Sequence, residues 1–163
     1  LKQTTPGLRL TLGVSTFVPK AQTPFQWQGV RPEAEKRLKR LAKQLKPKGI
    51  DLRPESYGWS VIQALISRSD RRLASVIVAV RGSQESLGGW KKAYRSARSG
   101  DLPAAVSAGV DLPLPPPWDE VIHQRWNDST VLPWDHLNGP LGRTTLLKHQ
   151  EQALSLTDPG GLD

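Results

Sequence analysis

Apolar and polar residues alternate from the start of the chain. Leu8, Leu10, Leu12, Val14, Thr16 and Val18 fall on one side of an extended segment, and Arg9, Thr11, Gly13, Ser15 and Phe17 on the other. A period of two is the signature of a β-strand, so the pattern predicts one over residues 8–18. Pro19 closes it, because proline offers no N–H to a ladder and fixes its own φ. An apolar face opposite a small, mostly polar one fits a sheet with helices outside and a pocket inside.

The period then changes. Over residues 31–46, Pro32 suits a first helical position and Glu33 and Glu35 suit the positive end of the dipole. Ala34, Leu38, Leu41, Ala42 and Leu45 form one stripe at helical spacing, and Pro47 and Gly49 end it. Residues 50–53 then read as a short strand returning to the sheet, the order a strand–helix–strand unit uses. A second helix is expected from Tyr57 to Arg68, with Val61, Ile62, Leu65 and Ile66 inward and Ser56 as its cap. Leu73, Val76, Ile77 and Val80 recur at i, i+3, i+4 and i+7, a third helix with Gly82 as its stop. The β-branched run Val76-Ile77-Val78 leaves a strand as the alternative there. Residues 87–97 give a fourth helix with Trp90 and Tyr94 on one side.

From Gly100 the texture becomes proline-rich. Pro103, Pro113, Pro115, Pro116 and Pro117 predict an extended or irregular stretch to residue 142, with polyproline character near 115–117. Trp118, Trp126 and Trp134 give it apolar anchors, and Trp59, Trp90 and these three are expected in the core, each needing a partner for its indole N–H. A last helix is expected over residues 143–156, with Leu146, Leu147, Ala153 and Leu154 inward, and a frayed tail over 158–163. The fold class is therefore α/β to mostly α.

With 163 residues there is room for one domain with a real core. Charge changes that picture, because it is unevenly placed. Residues 1–100 hold 20 Lys/Arg against 6 Asp/Glu, a net of +14, whereas residues 101–163 hold 3 against 9, a net of −6. Such asymmetry points to an anionic partner or to contact between the halves. Cysteine is absent, which excludes disulfides, thiolate nucleophiles and any cysteine-held metal or iron–sulfur cluster within these residues. That composition is compatible with a reducing, cytoplasmic setting. No apolar stretch is long enough to span a bilayer and no charged-then-apolar signal segment opens the chain, so no membrane partner is expected. Methionine is also absent. The chain is expected to be a piece of a longer polypeptide, or a processed one.

Candidate chemistry begins where the first strand ends. In barrels of parallel strands, function gathers at the C-terminal ends of strands, and Phe17, Lys20, Gln22 and Thr23 stand there. A Lys or Thr so placed can bind a carboxylate or phosphate, and Phe17 can stack on a flat ring. The alternative is a loop whose prolines and aromatics seal the rim. The second candidate is the basic helix, with 8 Lys/Arg and 2 Glu over residues 31–48, a net of +6. Lys36, Lys39, Arg40, Lys43 and Lys46 lie off the apolar stripe and could neutralise the phosphates of RNA or another polyanion. No aromatic residue is interleaved with them, and a solvated outer helix explains the same pattern. Third, Asp70 stands among Arg68, Arg71 and Arg72. Arg71 and Arg72 could bind an anion, or Asp70 could cap a helix and pair with its neighbours. The histidines His123, His136 and His149 match no zinc spacing, so no metal site is expected, and Asp135 reads as a turn or capping residue beside Trp134.

The residues Ser15, Phe17, Val18, Pro19, Lys20, Thr23, Pro24, Phe25, Gln26 and Trp27, in that spacing, resemble the late barrel strand and following loop of radical S-adenosylmethionine (radical SAM) enzymes. The likeness is to an uncharacterised subfamily with a cobalamin-binding-like N-terminal domain. Three later segments agree in order. Ser67-Arg68-Ser69-Asp70-Arg71-Arg72-Leu73 resembles that subfamily's Arg-Gly-Asp-Arg-Arg element, Gly89-Trp90 its Asp-Gly-Trp, and Leu132-Pro133-Trp134-Asp135-His136 its closing Pro-Trp-Asp segment. The likeness spans residues 10–154. Ala21-Gln22 depart from the family's Pro-His, and Ser69 from its Gly.

The resemblance implies the C-terminal edge of a TIM-type barrel over residues 1–54, a helical extension over 55–99, the Pro/Trp-rich segment over 100–142 and a closing helix and tail over 143–163. It implies a parent enzyme that uses S-adenosylmethionine and a [4Fe–4S] cluster, with cobalamin a further candidate cofactor, and the upstream barrel as this chain's partner. The three-cysteine cluster motif is absent here, so this chain alone would bind none of these and would not be an enzyme. Its contribution would be one wall: Ser15, Phe17, Pro19 and Lys20 near the cofactor's adenosyl end. Thr23, Gln26, Arg71 and Arg72 are the candidate substrate or anion contacts; catalytic residues are not assigned. Two other readings stand beside this one. One is a basic RNA-binding module; the other is a structural subunit that docks through its Trp- and Pro-rich tail.

Overall fold

A computed structural model describes residues 7–81, 85–102 and 113–156. Among them are six helices and a two-stranded parallel sheet, a mostly helical α/β arrangement. Strand β1 (Leu10–Val14) leads through a long loop to α1 (Ala34–Leu45), then by a 3₁₀ turn to β2 (Ile50–Pro54). The strands pair in register from Leu10 opposite Ile50 to Val14 opposite Pro54. Gly49 turns the chain between them in the left-handed region at φ 63°, where only glycine is unstrained. No described helix is long and apolar enough to cross a membrane.

The predicted first strand is longer than the ladder that forms. Pairing covers Leu10–Val14 and ends where the Glu55 N–H donates to the Val14 carbonyl at 2.9 Å. Pro54 closes β2 at that point, so residues 15–18 have no strand beside them among the described residues. Their alternation survives: Thr16 and Val18 are buried, Ser15 and Phe17 exposed. Helix α1 packs on β2, and its stripe of Ala34, Leu38, Leu41, Ala42 and Leu45 is half-buried. The opposite sheet face, with Thr11, Gly13, Asp51 and Arg53, is open to solvent.

The core lies beyond the sheet. Helices α2 (Tyr57–Arg68), α3 (Ala74–Arg81), α4 (Leu87–Arg98) and α5 (Trp118–Ile122) enclose Val61, Ile62, Leu65, Val76, Val80, Trp90, Tyr94 and Ile122, together with Val18 and Val30 from the loop. The Val76-Ile77-Val78 run is helical, because Val76 and Val80 meet the core one turn apart while Val78 faces solvent. Gly82, the expected stop, lies outside the described residues, as do Pro103 and the tail over 158–163. Ser56 takes the cap position of α2 without a side-chain capping bond.

A second, smaller cluster of Trp27, Leu132, Trp134 and Leu146 holds α6 (Arg143–Leu156) to the loop. Three expectations need correction. Helix α5 interrupts the stretch read as irregular, with Asp119 and Glu120 favouring its first turn. Trp59 is 53% exposed rather than a core anchor, because it stands on the side of α2 away from Val61 and Leu65. Trp27, at the end of the loop after β1, is fully buried. In α6 Leu146 and Gln150 face inward, whereas Leu154 is 46% exposed beyond the last packed turn.

Candidate functional site

The loop after β1 is held by its own polar groups. Thr23 Oγ1 donates to the Lys20 carbonyl at 2.8 Å, a side-chain turn that fixes the bend. Gln22 sits in the left-handed region at φ 57°, which costs a non-glycine residue about 1 kcal/mol. The buried Gln26 restrains it, since Gln26 Oε1 accepts from the Gln22 N–H at 2.9 Å. The same oxygen accepts from Trp134 Nε1 at 2.7 Å. Gln22 Nε2 donates to the Leu137 carbonyl at 3.3 Å. One carbonyl thus ties the loop to the Pro133-Trp134-Asp135 turn, which Asp135 organises by accepting from the Leu132 N–H at 2.7 Å and from Arg143 Nη1 at 3.0 Å.

The loop's exit is stapled to the end of α5. Val30 N–H donates to the Ile122 carbonyl and Trp126 N–H to the Trp27 carbonyl, both at 2.8 Å. His123 Nδ1 lies 2.7 Å from the Val30 carbonyl and therefore carries the proton on that nitrogen. A Cβ on Gly29 would fall 2.1 Å from the His123 carbonyl oxygen, so the two backbones touch only because residue 29 has no side chain.

Arg68 forms the third link. Its guanidinium is almost fully buried, donates to the Ile122 and Gln124 carbonyls at 3.1 and 3.0 Å, and stacks 3.9 Å from the Trp126 ring centroid. Burial lowers its pKa to about 10, which leaves it charged at neutral pH. Asp70 caps the 3₁₀ turn Arg71–Leu73 by accepting from the Arg72 N–H at 2.9 Å, and it binds the Arg72 side chain in bidentate fashion. Burial alone would raise the Asp70 pKa, but hydrogen bonds from the Arg72 side chain and backbone, with the charges of Arg72 and Arg71, hold it below the usual range.

The predicted residues therefore divide. Ser15, Phe17 and Lys20 are exposed at the strand's C-terminal end, and Lys20 Nζ reaches Ser67 Oγ at 3.1 Å. Pro19 and Gln26 are buried, and the Gln26 oxygen is occupied internally. Arg72 is committed to Asp70 and to the Leu114 carbonyl, whereas Arg71 is exposed. Two cavities flank the links. One, of about 360 Å³, is lined by Arg68, Asp70, Arg72, Tyr94, Glu120 and Trp126. The other, of about 340 Å³, lies between the loop and the start of α1, where Thr16, Phe17, Phe25, Gly29, Arg31 and Arg37 meet. Sequence reasoning had no separate signal for Gly29, Arg143 or this second cavity, whose residues come from the two ends of the loop, the start of α1 and, through Leu154, the end of α6.

No protein-family model, curated protein or solved structure matches the chain. The residues present do not fit an iron–sulfur cluster: there is no cysteine, and among the described residues no three His, Asp or Glu side chains gather as metal ligands.

Proposed function

We propose that this chain is the C-terminal wall and helical extension of a radical SAM enzyme, joined to an upstream barrel that carries the cluster. The convergence of the motif segments carries this reading. Segments far apart in sequence meet through Lys20–Ser67 and Gln26–Trp134, and the Arg68 guanidinium beside the loop exit joins the second motif to them. A resemblance spread over unrelated surface loops would not predict such links. Among the described residues the parallel β1–α1–β2 unit also leaves one face and the β1 edge open, as a strand bordering further parallel strands would. Ser15, Phe17 and Lys20 then face the side where the resemblance implies S-adenosylmethionine, with Pro19 fixing their approach. This chain's residues bind and orient there; the redox chemistry belongs to the cluster-bearing part.

The test is a longer polypeptide that adds an upstream Cys-x-x-x-Cys-x-x-Cys segment to this chain. After cluster reconstitution it should cleave S-adenosylmethionine, and Phe17→Ala with Lys20→Ala should raise the concentration of S-adenosylmethionine needed. Parent reading frames without such a segment, or cleavage indifferent to both substitutions, would remove the proposal.

A further inference from the structure

The basic helix and the aromatic loop, separate in sequence, meet in the structure. Every ion pair between described residues is local, and none joins the basic half to the acidic one. Among the described residues, then, no acidic side chain of residues 113–156 pairs with a cation of α1. Lys39 pairs with Glu35, but Lys36, Arg37, Arg40, Lys43 and Lys46 are exposed with no carboxylate partner among the described residues. With the apolar stripe turned to the sheet, these cations form an outward ridge of about 15 Å, with at least one cation per turn.

The ridge does not end in solvent. At the N-terminal end of α1, Arg31 and Arg37 form the rim of the 340 Å³ cavity, whose wall is the pair Phe17 and Phe25, ring centroids 5.8 Å apart and edge to face. Phe17 is 59% exposed. Thr16, 8% exposed, stands behind that wall. A cationic track leading to an aromatic-walled cavity matches one kind of ligand: a charged backbone that carries flat rings. An anionic membrane would use the ridge and leave the cavity idle, and a duplex would keep its bases stacked away from it.

We propose that this face binds single-stranded nucleic acid, with roughly four phosphates along α1 and one base in the cavity against Phe25. This gives a substrate class to the wall proposed above and rests on that reading for its catalytic meaning. Oligonucleotide binding needs no cluster, so the two ideas fail separately.

The probe is a fluorescent 12-nucleotide RNA of mixed sequence, titrated with the 163-residue chain while anisotropy is read. Affinity should fall roughly 20- to 50-fold between 50 and 200 mM salt. The exposed triple substitution Lys36→Ala, Arg40→Ala, Lys43→Ala should flatten that slope, whereas Lys91→Ala with Lys92→Ala, exposed cations on α4, should leave it unchanged. Phe25→Leu should weaken the RNA about tenfold and leave an abasic phosphodiester strand of equal length unaffected; Phe25→Tyr should restore binding. Should Phe25→Leu not fold, Phe17→Leu, at the exposed ring of the same pair, gives the same contrast in a milder form. The proposal is overturned by no binding at 50 mM salt, by equal losses from the α4 substitutions, by equal losses on the abasic strand, or by anionic vesicles competing as well as RNA.

Discussion

The sheet unit and the helical core are built to opposite standards of burial. In β1, α1 and β2 no residue is buried, whereas α2 alone buries Ser60, Val61, Ile62, Ala64, Leu65 and Arg68. Both regions have regular hydrogen bonding and clear periodicity, so local propensity does not separate them. What separates them is the number of layers. The core helices are covered by each other and by the loop, while the parallel pair has one helix on one face and solvent on the other. Parallel sheets are ordinarily covered on both faces, and two strands alone are marginal in water. The sheet is therefore a thinly covered margin, and the helices carry the core.

Hydrogen exchange gives the largest contrast. In the isolated chain, amides of residues 10–14 and 50–53 should exchange on the order of a thousand times faster than those in the middle of α2. Equal protection in a monomer would erase the distinction. Matched truncations come next. Leu65→Ala, at a fully buried position, should cost about 2–5 kcal/mol in denaturant unfolding. Leu38→Ala, on the half-buried stripe of α1, should cost about 1 kcal/mol. The glycines repeat the contrast at smaller scale. Gly29→Ala drives a methyl into the His123 carbonyl and should cost about 3 kcal/mol. Gly13→Ala, with nothing within 4 Å, should stay within about 0.5 kcal/mol.

Much of this contrast is legible in the chain. The stripe of α1, the inward residues Val61, Ile62 and Leu65 of α2 and the spacing of Leu73, Val76 and Val80 are local periodicities, and the elements follow them. Asp70 as a cap and Asp135 as a turn residue are legible for the same reason, since their partners lie within a few positions. Partners far away in sequence leave no such mark. Gln26 and Trp134 are 108 residues apart, and no pattern around either assigns the shared hydrogen bond. Trp27 is adjacent to that link, so its burial was equally invisible, and Trp59 misleads because its hydrophobicity says nothing about which side of α2 it occupies. Helix α5 was hidden by the prolines before it, although Pro117 precedes its first turn without interrupting it. The phenylalanine–arginine cavity fails to show for a further reason: its walls belong to the loop after β1, the start of α1 and the end of α6, each with an ordinary explanation of its own.

The smallest expected effect separates the regions by their charges. Asp70 and Arg72 keep only 31% and 26% of their side-chain surface exposed, while Lys39 and Glu35 on α1 keep 71% and 50%. The Asp70 carboxyl is held below its ordinary value, so the folded state binds this proton less readily than the unfolded state. Its stabilising contribution is complete above the unfolded value near pH 3.9 and disappears as pH falls through the lower folded value. Thermal melts of the parent chain should therefore show an acid-dependent loss below about pH 4 that Asp70→Asn removes, with a difference under about 1 kcal/mol because the pair is partly screened. Asparagine remains a competent cap, so the substitution tests the charge rather than the turn. Glu35→Gln should change the melt by no more than a few tenths of a kcal/mol, since an exposed i,i+4 pair loses most of its attraction to water. If the two substitutions shift the acid limb equally, the 70–73 turn is no better shielded than α1, and the division between margin and core does not extend to electrostatics.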